Sequence, residues 1–162
     1  MKKAFVALLF LPALSLLAIM AVSGEKGAWF DMENCEMCKP LMEQDPALLE
    51  NTVWEHHEIS NGLVSVTTVA PAFRAHYEKA GQRMSEVEKK LMSGEEVKLC
   101  NMCVAMGEML NTGKVAMEHV MTSTGSVYLT TSDDPAMITE IQKWGQRTTE
   151  ELEKMAEASQ SE

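Results

Sequence analysis

Two Cys-x-Met-Cys motifs, Cys35-Glu-Met-Cys38 and Cys100-Asn-Met-Cys103, contain all four cysteines of the 162-residue chain. Cysteines three residues apart at the start of a helix bring two sulfurs within reach of one centre. The N–H groups of the helix terminus favour the thiolate, the form that ligates soft metals and attacks disulfides. One such motif serves zinc, copper, iron–sulfur or redox chemistry equally well. Two of them narrow the reading to metal or thiol chemistry.

The residues downstream of each motif also recur. Glu55-His56 lies beyond the first and Glu118-His119 beyond the second. Gly62-Leu-Val64-Ser-Val66-Thr67-Thr68 matches Gly125-Ser-Val127-Tyr-Leu129-Thr130-Thr131, then Pro71-Ala72 matches Pro135-Ala136, and Gly81-Gln82-Arg83 matches Gly145-Gln146-Arg147. The offsets share one register (100 − 35 = 65, 119 − 56 = 63, 125 − 62 = 63, 135 − 71 = 64, 145 − 81 = 64), with the drift that small loop insertions produce. The chain reads as a tandem duplication that keeps its cysteines and one histidine in both copies.

Two metal geometries are open to such a chain. If the motifs meet at an axis between the copies, Cys35, Cys38, Cys100 and Cys103 form a closed four-thiolate site suited to zinc or an iron–sulfur centre. If they stay apart, each copy offers two thiolates plus His56 or His119, with a thioether from Met37, Met42, Met102, Met106 or Met109 to complete a softer, Cu(I)-type set. His56 falls on a strand face with Trp54 and Glu58, and His119 on the matching face with Met117 and Met121. A core histidine bonded to the backbone is the plainer reading of each. His57 and His76 have no counterparts and read as surface or structural residues. Most of the 14 methionines read as adaptable core filling.

The elements needed to position these groups can be read in order. A short strand at 28–32 runs into the first motif, and a helix extends from Asn34 to about Glu50, interrupted by Pro40 and Pro46. Strands at 52–60 and 63–69 flank the turn Asn61-Gly62. A helix from Pro71 to about Met92 carries Phe73, Tyr77, Met84, Val87 and Leu91 as its apolar stripe. The second copy repeats the plan: a strand at 97–99, a helix at 101–110 and strands at 114–122 and 126–131. A last helix opens at Pro135 behind the cap Ser132-Asp133-Asp134 and frays from Ala156. Each copy is thus a β-α-β-β-α unit. Together they predict an α+β fold with antiparallel strands covered by helices, ferredoxin-like halves being one version. The expected boundaries are 1–23 for a leader, 24–94 for the first repeat and 95–162 for the second, the two repeats sharing one compact domain.

Lys2-Lys3, an apolar run from Ala4 to Val22 and small residues before Gly24 have the layout of a secretory signal peptide, with an uncleaved anchor as the alternative. The body is then exported, to a bacterial periplasm or an equivalent envelope space, where disulfides persist. The net charge of −10 becomes −12 without the two leader lysines (−10 − 2). An acidic chain argues against nucleic acid as a partner. The partners expected are a metal ion, Cu(I) or Zn(II), and an envelope protein; a membrane enters only if the leader is retained.

The stretch Ala28-Trp29-Phe30 through Cys35-Glu-Met-Cys38-Lys39-Pro40-Leu41 resembles the strand-to-helix active site of thioredoxins, with Val69-Ala70-Pro71 in place of their proline loop. That resemblance covers a short part of the chain and implies a thiol–disulfide oxidoreductase using the four cysteines. The hairpin after the first motif departs from that family, and the second motif lacks the lysine and proline. A third reading is a binding module stapled by disulfides, for which four cysteines allow three pairings. No nucleophile–base set, phosphate-cradling loop or carboxylate pair marks another active site.

Overall fold

A computed structural model describes residues 28–159. The expected leader, 1–23, lies outside them. The helices are α1 (Lys39–Gln44), α2 (Arg74–Met92), α3 (Asn101–Asn111) and α4 (Pro135–Ser159), and the strands are β1 (Thr52–Ile59), β2 (Gly62–Val69), β3 (Val115–Thr122) and β4 (Gly125–Ser132). No helix among the described residues is long and apolar enough to cross a membrane.

The strands form one antiparallel sheet in the order β1-β2-β4-β3. The architecture is α+β, with the two hairpins joined through β2 and β4 in a single sheet rather than in separate ferredoxin-like halves. The β2–β4 register is two-fold symmetric: Gly62 faces Thr131, Thr68 faces Gly125, and at the centre Ser65 faces Tyr128. Each hairpin turns through two residues, 60–61 and 123–124, so the glycines begin the strands instead of occupying the turns. Their role is close approach. A Cβ on Gly62 would lie 2.0 Å from the Thr130 carbonyl oxygen, and one on Gly125 would lie 2.0 Å from that of Thr67.

Alternation along the strands puts Leu63, Ser65, Thr67 and Val69 on the same face as His56, Tyr128 and Thr130. The helices pack on this face. Helix α4 crosses β1, β2 and β4, Leu63, Met109 and Ile141 form the buried core there, and the Tyr77 hydroxyl of α2 meets Ser126 at 2.7 Å. On the opposite face Val53 and Val120 stay exposed, so the helices cover one side of the sheet.

Two expectations need correction. The strands expected at 28–32 and 97–99 do not form; both segments are irregular. The helix expected from Asn34 to Glu50 is only α1 and a 3-10 turn at Pro46–Leu48, because Pro40 and Pro46 each sit in a first turn and start a new, short element. The irregular segments bond across the halves instead: the Glu36 N–H donates to the Lys98 carbonyl at 2.9 Å, and that of Met102 to the Trp29 carbonyl at 3.1 Å.

Candidate metal centre

The two motifs are held differently. Cys35 and Cys38 lie in consecutive turns ahead of α1, Cys38 being the residue that precedes its first turn. The turns are closed by backbone bonds from Cys35 N–H to Asp31 and from Cys38 N–H to Cys35, both 3.0 Å. Cys100 occupies the N-cap position of α3 in extended conformation, and Cys103 lies in its first turn. Two indoles fix this geometry. Trp144 of α4 donates through Nε1 to the Met102 carbonyl at 3.1 Å, between the cysteines of the second motif. Buried Trp29 donates to Thr148 Oγ1 at 3.2 Å, with the Arg147 guanidinium 4.0 Å over its ring. Neither indole stands out as a site residue in the sequence, where Trp29 reads as part of a strand. The signal that could have marked them is that a buried indole N–H requires an acceptor, and Trp29 lies close to a motif.

The four cysteines come together. Their sulfurs all lie within 4.8 Å of one another and can hold a metal ion. Cys35–Cys103 is 3.8 Å, and Cys38–Cys100 and Cys38–Cys103 are each 3.7 Å. A tetrahedral metal with bonds of about 2.3 Å to sulfur requires edges of about 3.8 Å. A disulfide requires about 2.05 Å, and all four thiols are free. Cys35, Cys38 and Cys100 are buried, with Met32, Met37, Leu99, Met102 and Cys103 packed around them.

Four thiols this close share their protons unequally. Cys100 is held well below the ordinary thiol range, chiefly by the Cys103 thiol, with help from the Cys103 backbone N–H in the first turn of α3. Cys38 and Cys103 are pushed well up, each beside Cys100 above all. Cys35 is drawn up by Cys100 and down by Cys103 and Cys38, and comes to rest at about 6. In the metal-free site Cys38 and Cys103 keep their protons, because further charge beside the thiolates is costly. A dication removes that cost by replacing the protons.

The histidines lie elsewhere. His56 Nδ1 meets Ser65 Oγ at 2.8 Å and its ring packs edge-on against Trp144 at 5.6 Å. Burial, and then the neighbouring His57, hold it below its ordinary 6.5. His119 stacks flat on Tyr128 with ring centroids 4.1 Å apart. Neither belongs to the four-sulfur group. Among the candidate thioethers, Met37 and Met102 pack against the sulfurs, whereas Met106 and Met109 belong to the sheet-side core. Arg83 pairs with Glu43 of α1. Asp134 caps α4 through the Ala136 N–H at 2.9 Å.

The segment resembling a thioredoxin active site is not a strand entering a long helix: turns precede Cys35, and α1 is six residues long. Comparison with protein-family models, curated proteins and solved structures gave no match, and the functional reading rests on the geometry of the site.

Proposed function

We propose that this is an exported, non-enzymatic metal-binding protein in which Cys35, Cys38, Cys100 and Cys103 hold one Zn(II) as a closed four-thiolate site. The observation that carries the reading is the match between three of the six sulfur separations, at 3.7–3.8 Å, and the edge of a zinc–thiolate tetrahedron, with all four sulfurs within 4.8 Å of one another. Cu(I) is satisfied by fewer soft ligands and makes less use of four converging thiolates. The site draws two cysteines from each of the halves 24–94 and 95–162, which we take as two copies of one unit. The envelope location rests on the basic, apolar, then small-residue order of residues 1–23. There a protein of this kind buffers, carries or senses the metal, and a carrier or sensor role implies a protein that receives it.

The test is to titrate the chain from Gly24 onward, reduced and anaerobic, with Zn(II) and Cu(I) against a chromophoric chelator, with stoichiometry read by native mass spectrometry. One zinc per chain, lost when either motif is changed to serine, is the expected result. Two metals per chain, each lost with its own motif, would replace the shared site by two half-sites. Thiol–disulfide exchange is the second reading, favoured by the acidic Cys35 and the partial exposure of Cys103. Insulin reduction by the metal-free protein, together with failure to take up zinc, would install it instead.

A further inference from the structure

The two repeat-related histidines have different surroundings. His56 is committed to the core through Ser65 and Trp144. His119 is exposed, and its ring nitrogens have no hydrogen-bond partner among the described residues. Ser65 and Tyr128 are the cross-strand partners of the two histidines and face each other at the centre of the sheet. Where Ser65 ties down a ring nitrogen of His56, Tyr128 supports the flat face of the His119 ring and leaves its nitrogens at the edge.

The flanking residues differ in the same sense. Met117 and Met121 share the His119 face of β3, one on each side. They are 40% and 50% exposed, although thioethers normally contribute more when buried. Helix α3 reaches β3, and Val115 packs into the core, but the strand is exposed from Ala116 onward. Residues two apart on a strand are separated by about 7 Å, a span that two flexible methionine side chains close easily over a central imidazole. Burial, then Tyr77 and then the carboxylate of Glu88 push the Tyr128 hydroxyl up to about 12. The charge of Glu88 in α2 is therefore felt at the tyrosine that supports His119.

We infer that Met117, His119 and Met121 form a second metal site, open to solvent on β3, that takes Cu(I). Two thioethers and a neutral imidazole are a soft set with no carboxylate or thiolate, which selects Cu(I) over Zn(II), Ca(II) or Mg(II). The site shares no residue with the four-cysteine centre and stands whether or not that centre holds zinc.

Thiolates bind Cu(I) more tightly than thioethers, so the two sites have to be followed separately. The test is an anaerobic Cu(I) titration of the reduced full chain, observed through the methionine ε-methyl and histidine ring resonances, with total stoichiometry by mass spectrometry. After the thiols are filled, one further equivalent should shift the Met117 and Met121 methyls and the His119 ring together. M117L/M121L should bind one equivalent fewer with its thiol-bound copper unchanged, and H119Q should lose the same equivalent. Unmoved Met117 and Met121 methyls, or equal stoichiometry in the wild type and both variants, would overturn the proposal. A loss of thiol-bound metal with these shifts intact would count against the cysteine centre alone.

Discussion

Cys103 is the one thiol of the sulfur cluster that keeps partial exposure, while Cys35, Cys38 and Cys100 are buried. In the proposed site it is therefore the place where a metal would enter and leave. In the metal-free protein Cys103 should react first with a small alkylating agent, and zinc should abolish that reaction; equal labelling with and without zinc would exclude it as a ligand. Because Cys38 and Cys103 are pushed up, the empty site still carries protons that a dication must displace. Zinc affinity should therefore rise with pH across about 6 to 8, with proton release measurable by calorimetry in buffers of different ionisation enthalpy. His56 gives a dependence of the same sign, but on the fold itself. Its folded-state pKa is depressed, so above 6.5 both folded and unfolded forms are neutral and it has no effect. As pH falls through 6.5 the unfolded chain takes up the proton first, and stability declines until the folded-state value is passed. Chemical denaturation of H56Q should show less loss between neutral and mildly acidic pH than the wild type does.

At the scale of elements, glycines at matching positions of the sequence recurrence have different duties. Gly145 of α4 lies against Leu63, and a Cβ there would come within 2.7 Å of both its terminal methyls. Leu63 is 1% exposed and has nowhere to retreat. Gly81, its counterpart in α2, has nothing within 4 Å of the same atom. Gly145→Ala should therefore destabilise by about 1–2 kcal/mol, overpacking outweighing the gain in helix propensity. Gly81→Ala should stabilise by roughly 0.5–1 kcal/mol. Urea denaturation midpoints of the two variants decide this, and equal shifts would mean that the helices do not pack asymmetrically. Gly62 and Gly125 are equivalent in duty as well as position, because each lets one central strand approach the other's backbone.

For the molecule as a whole, the sulfur cluster joins two irregular segments that are 62 residues apart at Cys38 and Cys100. These segments have few regular hydrogen bonds of their own, so a metal there acts as a cross-link that removes conformational freedom from the unfolded chain. Free zinc at a thousand times its dissociation constant should add about 4 kcal/mol of stability. Chelation should then lower the melting temperature by roughly 10 °C, with the largest gain in amide exchange at 28–38 and 97–103. A melting temperature indifferent to chelator would separate the cluster from the fold's stability.

The hairpins, the long helices and the recurrence of the cysteine motif could all be read along the chain, because they depend on local signals: period-two valines and threonines, prolines at helix starts, and a recurrence at 63–65 residues. The strands expected before each motif depended on a local signal too, and failed. Apolar residues at 28–32 and 97–99 bury themselves equally well as irregular chain once Trp29 finds Thr148 and Met102 finds Trp29. The choice between one four-cysteine site and two Cys₂His sites lay beyond sequence reasoning, since it turns on where residues more than sixty positions apart meet. The same holds for the histidines. His56 and His119 look alike in the repeat, but packing by Trp144 takes one into the core, whereas the exposed edge strand leaves the other open. Repetition in sequence can specify that two halves contain the same side chains; which of them meet depends on contacts between the halves, which no local pattern encodes.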